Sequence, residues 1–122
     1  MITYTTIGVS DMEKAKAFYG DLLSDMGVSV LMDLGRIAML GSADGGAMLS
    51  ICVPFDEGAP HPGNGNMVAI SPGSKELVAQ MHAKALAMGA TDEGAPGQRM
   101  DGFYGAYFRD PDGNKMCFCH LG

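Results

Sequence analysis

The order of elements occurs twice in this chain, and that repeat constrains its fold more than any other feature. Residues 2–9, "ITYTTIGV", are rich in β-branched side chains and stop at Ser10-Asp11, the pattern of a strand. In "SDMEKAKAFYGDLLSDMG", Met12, Ala15, Phe18, Tyr19, Leu22 and Met26 recur at helical spacing, and Gly27 suits a left-handed stop. Ser10 and Glu13 have the spacing of a capping box at the helix start. "VSVLMDL", "RIAMLGS" and "AMLSICV" then read as three short strands broken by Leu34-Gly35 and Asp44-Gly45-Gly46. After a Pro/Gly-rich stretch the order returns. "MVAISP" reads as a strand and about Ser74 to Met88 as a helix ending at Gly89, followed by "ATDEGAPGQR", "FYGAYFR" and "KMCFCH" as strands. Val9 corresponds to Ile70 and Gly27 to Gly89, offsets of 61 and 62 residues. Two copies of one β-α-β-β-β unit are therefore expected, an α+β protein in a single domain over residues 1–122. Module one covers about 1–54, a linker 55–66, and module two about 67–122.

Charge excludes one class of partner. Eight basic residues stand against 14 acidic ones, for a net charge of −6, and the arginines are only Arg36, Arg99 and Arg109. No basic stripe is available to neutralise phosphates, so no nucleic acid partner is expected. No apolar run reaches the length of a membrane span, so no membrane is expected either. The opening "MITYTTIGVSD" lacks the basic and apolar regions of a secretory signal, and Cys52, Cys117 and Cys119 fit no disulfide framework, so the reading is cytoplasmic. Eleven methionines suggest a soft core or an adaptable pocket wall.

The closing "RDPDGNKMCFCH" invites two metal readings. A calcium loop counted from Asp110 would need glycine where Lys115 stands and glutamate where Leu121 stands, so that reading fails. Asp110-Pro111-Asp112-Gly113-Asn114 instead suits a hairpin connection: proline presets the turn, Gly113 takes the left-handed conformation, and Asp110 bonds the backbone ahead. For zinc, Cys117 and Cys119 would face one side of a strand and His120 the other, and no second ligand pair exists elsewhere. Buried free thiols are the better reading. With a three-residue turn, Tyr107 pairs with Cys117 and Gly105 with Cys119.

"IGVSDMEKAKAFYGDLL", the paired modules and "YGAYFRDPDGNKM" resemble the glyoxalase/bleomycin-resistance/dioxygenase family, the vicinal oxygen chelate superfamily, over essentially the whole chain. The resemblance implies two modules whose sheets curl into an eight-stranded, incompletely closed barrel, commonly in a homodimer. It also implies a divalent metal held by His or Glu at four positions, in the first and last strand of each module. Carried onto this sequence, those positions fall on Tyr4, Met67, Cys117 and about Leu49. None is His, Asp or Glu, so no metal and no cofactor is expected; copper(I), being soft, is the one ion that Met67 and Cys117 would suit.

The expected cavity lining is Tyr4, Leu49, Met67, Tyr107, Cys117 and Cys119, suited to a small, mostly apolar organic ligand. Arg99 is a candidate partner for a ligand carboxylate or for a surface ion pair with Asp101. His82 reads as a packed helix residue and His61 as a solvated loop residue. No catalytic residue is assigned. The expected function is small-molecule binding by a family member without the usual metal ligands. The alternatives are a glyoxalase-type lyase or transferase with an unorthodox metal or metal-free Cys/Tyr chemistry, and a barrel serving only as a scaffold.

Overall fold

The computed structural model describes all residues, Met1–Gly122, and is α+β with two four-stranded sheets and two helices. The chain divides into two compact units, Met1–Pro62 and Gly63–Gly122. No helix is long and apolar enough to cross a membrane.

In module one, β1 (Tyr4–Gly8) leads to α1 (Met12–Leu22), then β2 (Val28–Asp33), β3 (Ile37–Ser42) and β4 (Met48–Cys52), in the sheet order β1-β4-β3-β2. The cap of α1 is Asp11, whose carboxylate accepts from the Lys14 backbone N–H at 3.1 Å, one residue later than the Ser10 box. Asp11 has the extended backbone (φ −135°) that an N-cap needs. A 3₁₀ turn, Leu23–Met26, ends at Gly27 with φ 73°, the left-handed stop expected there.

Pairing fixes which side chains share a face. β1 runs parallel to β4, with Thr5 opposite Leu49 and Ile7 opposite Ile51; β3 sets Leu40 opposite Leu49 and Ala38 opposite Ile51. Ile7, Ala38, Leu40, Leu49 and Ile51 are all buried, as are Ala15, Phe18, Tyr19 and Leu22 of α1. Together they form the core between helix and sheet. Burying each large aliphatic side chain there stabilises the module by about 1.5–3 kcal/mol. The other sheet face carries Tyr4, Thr6, Met48, Ser50, Cys52, Ile37 and Met39.

Module two repeats the plan: β5 (Val68–Ile70), α2 (Lys75–Ala87), β6 (Thr91–Met100), β7 (Phe103–Arg109) and β8 (Lys115–Leu121), ordered β5-β8-β7-β6. Ser74 caps α2 by accepting from the Leu77 backbone N–H at 3.1 Å. Ala106, Phe108, Met116 and Phe118 are fully buried with Val78, Met81 and Ala85 of the helix. β6 forms a strand despite three glycine-or-proline positions because it lies at the sheet edge and takes up three register shifts.

The closing stretch is a hairpin. Asp110 N–H donates to the Asn114 carbonyl at 2.9 Å and Gly113 N–H to the Asp110 carbonyl at 2.9 Å, with Gly113 at φ 90°. The buried Asp110 carboxylate accepts from the backbone N–H groups of Asp112 and Asn114 and from Asn114 Nδ2, at 2.9–3.0 Å. The turn itself engages both carboxylate oxygens, which makes the stretch structural. Tyr107 then pairs with Cys117 and Gly105 with Cys119.

Candidate functional site

Each sheet has one face covered by its helix and one turned away from it, the open face, on which Ser50, Cys117 and Cys119 are nonetheless buried; the residues of interest divide between them. In module two, Cys117, Cys119, Gly105 and Tyr107 share the open face. Met67 stands just before β5 and is 44% exposed. In module one, Tyr4 lies on the open face and is 47% exposed.

Leu49 does not join it. Tyr4 pairs with Met48, so Leu49 points to the opposite face, into the helix-covered core. The residue that matches Cys117 is found through the pairing: Cys117 sits opposite Tyr107 on the adjacent strand, and Ser50 sits opposite Met39. Eight residues, 41–48, separate the partners Leu40 and Leu49, while seven, 109–115, separate Phe108 and Met116. The turn of module one is a residue longer, and an alignment through Gly45 and Gly113 slips by one. In a strand a slip of one changes face. The alternation within "AMLSICV", with Leu49 and Ile51 apolar and Ser50 between them, carried the signal.

Ser50 is fully buried, and its Oγ has no hydrogen-bond partner within the chain. A buried hydroxyl left unpaired is destabilising and calls for an explanation. Cys117 is also fully buried; burial, followed by the neighbouring Cys119, pushes its thiol up to about 11, against a lowering contribution from Arg99. Its Sγ lies 3.5 Å from the Phe118 carbonyl, and Cys119 Sγ lies 3.9 Å from Ser71 Oγ. Cys117 is a protonated thiol at neutral pH.

The positions that the resemblance implies as metal ligands are, with Ser50 in place of Leu49, Tyr4, Ser50, Met67 and Cys117. A phenol, an alcohol, a thioether and a protonated thiol do not fit a divalent ion that takes imidazole, carboxylate or thiolate donors. No group of three or more His, Cys, Asp or Glu side chains is placed to hold a metal anywhere in the chain. The donor set disagrees with the metal the fold family implies.

The remaining candidates fall into place around module two. His82 is buried in α2, and its Nε2 lies 3.0 Å from the Tyr107 carbonyl and 3.2 Å from an Asp92 carboxylate oxygen. It ties the helix to the sheet. Arg99 makes no pair with Asp101; its Nη2 donates to the Ala95 carbonyl at 2.5 Å and its Cζ lies 5.3 Å from the centre of the Tyr107 ring. His61 is exposed. Lys115, which alternation along β8 places on the Cys117 face, has its Nζ 5.6 Å from the same ring.

Residues 1–118 match the profile of the Glyoxalase/Bleomycin resistance protein/Dioxygenase superfamily, and the chain belongs to that family. A glyoxalase/bleomycin resistance protein from Albidiferax ferrireducens T118 is similar at 31% identity and a TM-score of 0.89, over 100% of this chain and 99% of that one. A glyoxalase/bleomycin resistance protein/dioxygenase family enzyme from Burkholderia phytofirmans PsJN shares the fold at 19% identity and a TM-score of 0.78, covering 98% of each chain. A glyoxalase-related enzyme from Fulvimarina pelagi does so at 18% identity and a TM-score of 0.76, over 98% of this chain and 86% of that one. No curated protein matches the chain.

Proposed function

We propose that this protein binds a small organic molecule without a metal cofactor, and that binding itself, not turnover, is its activity. One observation carries the reading: the four positions that the family resemblance implies as metal ligands hold Tyr4, Ser50, Met67 and Cys117. Polarising a vicinal pair of oxygens needs a Lewis acid, and these side chains do not supply the donors for one. Metal-free thiol chemistry is disfavoured as well, because a thiol at about 11 offers almost no thiolate near neutrality.

What the open faces do offer suits a ligand. Module one presents Ile37, Met39 and Met48 around the unpaired Ser50 hydroxyl. Flexible thioethers adapt to irregular apolar shapes, and a single buried hydroxyl orients a polar group among them. The test is native mass spectrometry of protein released directly from cells under non-denaturing conditions. A reproducible organic adduct, displaced on denaturation and reduced in Ser50→Ala, is the expected result. Protein that carries no adduct, together with conversion of a supplied α-oxo thiohemiacetal by the same preparation, would favour the lyase alternative.

A further inference from the structure

The open face of module two holds two cations that have no acid partner. The chain has 14 acidic residues against eight basic ones, so charge pairing is readily available. Arg109 and Lys16 use it: Arg109 Nε lies 2.6 Å from Glu93, and Lys16 Nζ lies 2.7 Å from Glu13 and 2.8 Å from Asp33. Arg36 and Lys75 do not, and each lies over a ring of its own, Phe55 and Tyr104. Arg99 and Lys115 do not. Both instead lie against one ring, that of Tyr107. Two like charges gathered on one aromatic side chain repel each other unless an anion joins them.

Glycine makes the gathering possible. A Cβ at Gly97 would stand 2.9 Å from Arg99 Nη1, and one at Gly94 would stand 2.9 Å from the Tyr107 ring and 3.3 Å from Arg99 Nη2. With both positions bare, the Arg99 side chain folds back along its own strand and reaches Tyr107. The Ala95 carbonyl then fixes Nη2, leaving Nε and Nη1 without an acceptor. Lys115 has three donors and no acceptor. The result is a held guanidinium edge and an ammonium against the same ring.

We propose that Arg99 and Lys115 form a carboxylate-binding site, in which the guanidinium and the ammonium hold the carboxylate of a small organic acid whose carbon body extends over the open face of module two. A carboxylate presents two coplanar oxygens to a guanidinium, a match that a neutral amide does not make. The inference rests on the small-molecule reading above and names the chemical class of its ligand.

The test is a pair of nuclear magnetic resonance titrations at low salt, with benzoate against benzamide and octanoate against octanamide. The backbone amides of Gly94, Gly97 and Gly105 report the location. At least one carboxylate is expected to bind about tenfold or more tighter than its amide, a difference typical of one charge-assisted contact. Arg99→Gln and Lys115→Gln should each bring the carboxylate to the level of its amide, with thermal unfolding unchanged because both side chains lie at the surface of the sheet. Arg99→Lys, which keeps charge but loses the planar fork, should fall between.

Carboxylates that bind no better than their amides overturn the inference, as does a preference that survives in both glutamine variants. Inorganic phosphate that moves the three glycine amides as strongly as benzoate would reassign the site to phosphate. Amide and carboxylate binding equally well would leave the small-molecule reading standing. Binding of neither kind, with no adduct from cells, would remove both.

Discussion

The two modules have the same topology and the same strand pairing, yet their open faces differ in chemistry. In module one, Tyr4, Thr6, Ile37, Met39, Met48, Ser50 and Cys52 present no ionisable carboxylate, ammonium or guanidinium. A bulge between Val30 and Met32 turns both Leu31 and Met32 towards this face, adding apolar surface at the β2 edge. In module two the matching face gathers Arg99, Lys115, Tyr107 and Cys117. Repetition has preserved what the backbone requires, namely alternation, register and a helix over one face. The side chains on the face away from the helix answer to no such requirement, and they differ between the modules.

The sharpest way to break this comparison is to move one residue along β4. Leu49→Ala removes a core side chain beneath α1 and should lower stability by about 2–5 kcal/mol in urea unfolding. Met48→Ala, on the open face, should cost less than about 1 kcal/mol. Equal losses would contradict the assignment of faces.

Cys117 provides the next test. With its thiol at about 11 against an ordinary 9.0, it is ionised on the order of a hundredfold less at pH 8 than a free cysteine. Alkylation followed by mass spectrometry should show Cys117 modified at least that much more slowly than free cysteine, with the rate rising as pH approaches 11. Rapid modification at neutral pH would revive thiol chemistry.

The attachment of α2 is a smaller effect. His82→Ala removes the contact of the helix with the Tyr107 carbonyl, and thermal unfolding should show a loss of about 1–3 kcal/mol. The smallest effect belongs to Ser50. Its hydroxyl has no partner, so Ser50→Ala should leave the free protein unchanged or stabilise it by up to about 1 kcal/mol while weakening ligand binding. A clear loss of stability in the ligand-free protein would mean that the hydroxyl is not an orphan.

Much of this was legible in the chain because local chemistry is read locally. "DPDGN" specifies its own turn, the turn specifies the pairing of β7 with β8, and so Tyr107 opposite Cys117 followed from sequence. Gly27 and Gly89 marked the helix ends at φ 73° and 105°. Leu49 was misplaced for an equally local reason: the β3–β4 turn is a residue longer than the β7–β8 turn, and glycine alignment cannot see that. The meeting of Arg99 with Tyr107 was illegible for a different reason. It depends on a side chain folding back over bare glycines in a bulged edge strand, and no periodicity encodes that.

Zinc and nickel titration of metal-stripped protein, with elemental analysis after desalting, is the most direct test of whether this member of the family has lost its metal. The account predicts less than a tenth of an equivalent of either ion retained per chain. One equivalent held tightly, and released by Cys117→Ala or Tyr4→Phe, would contradict it.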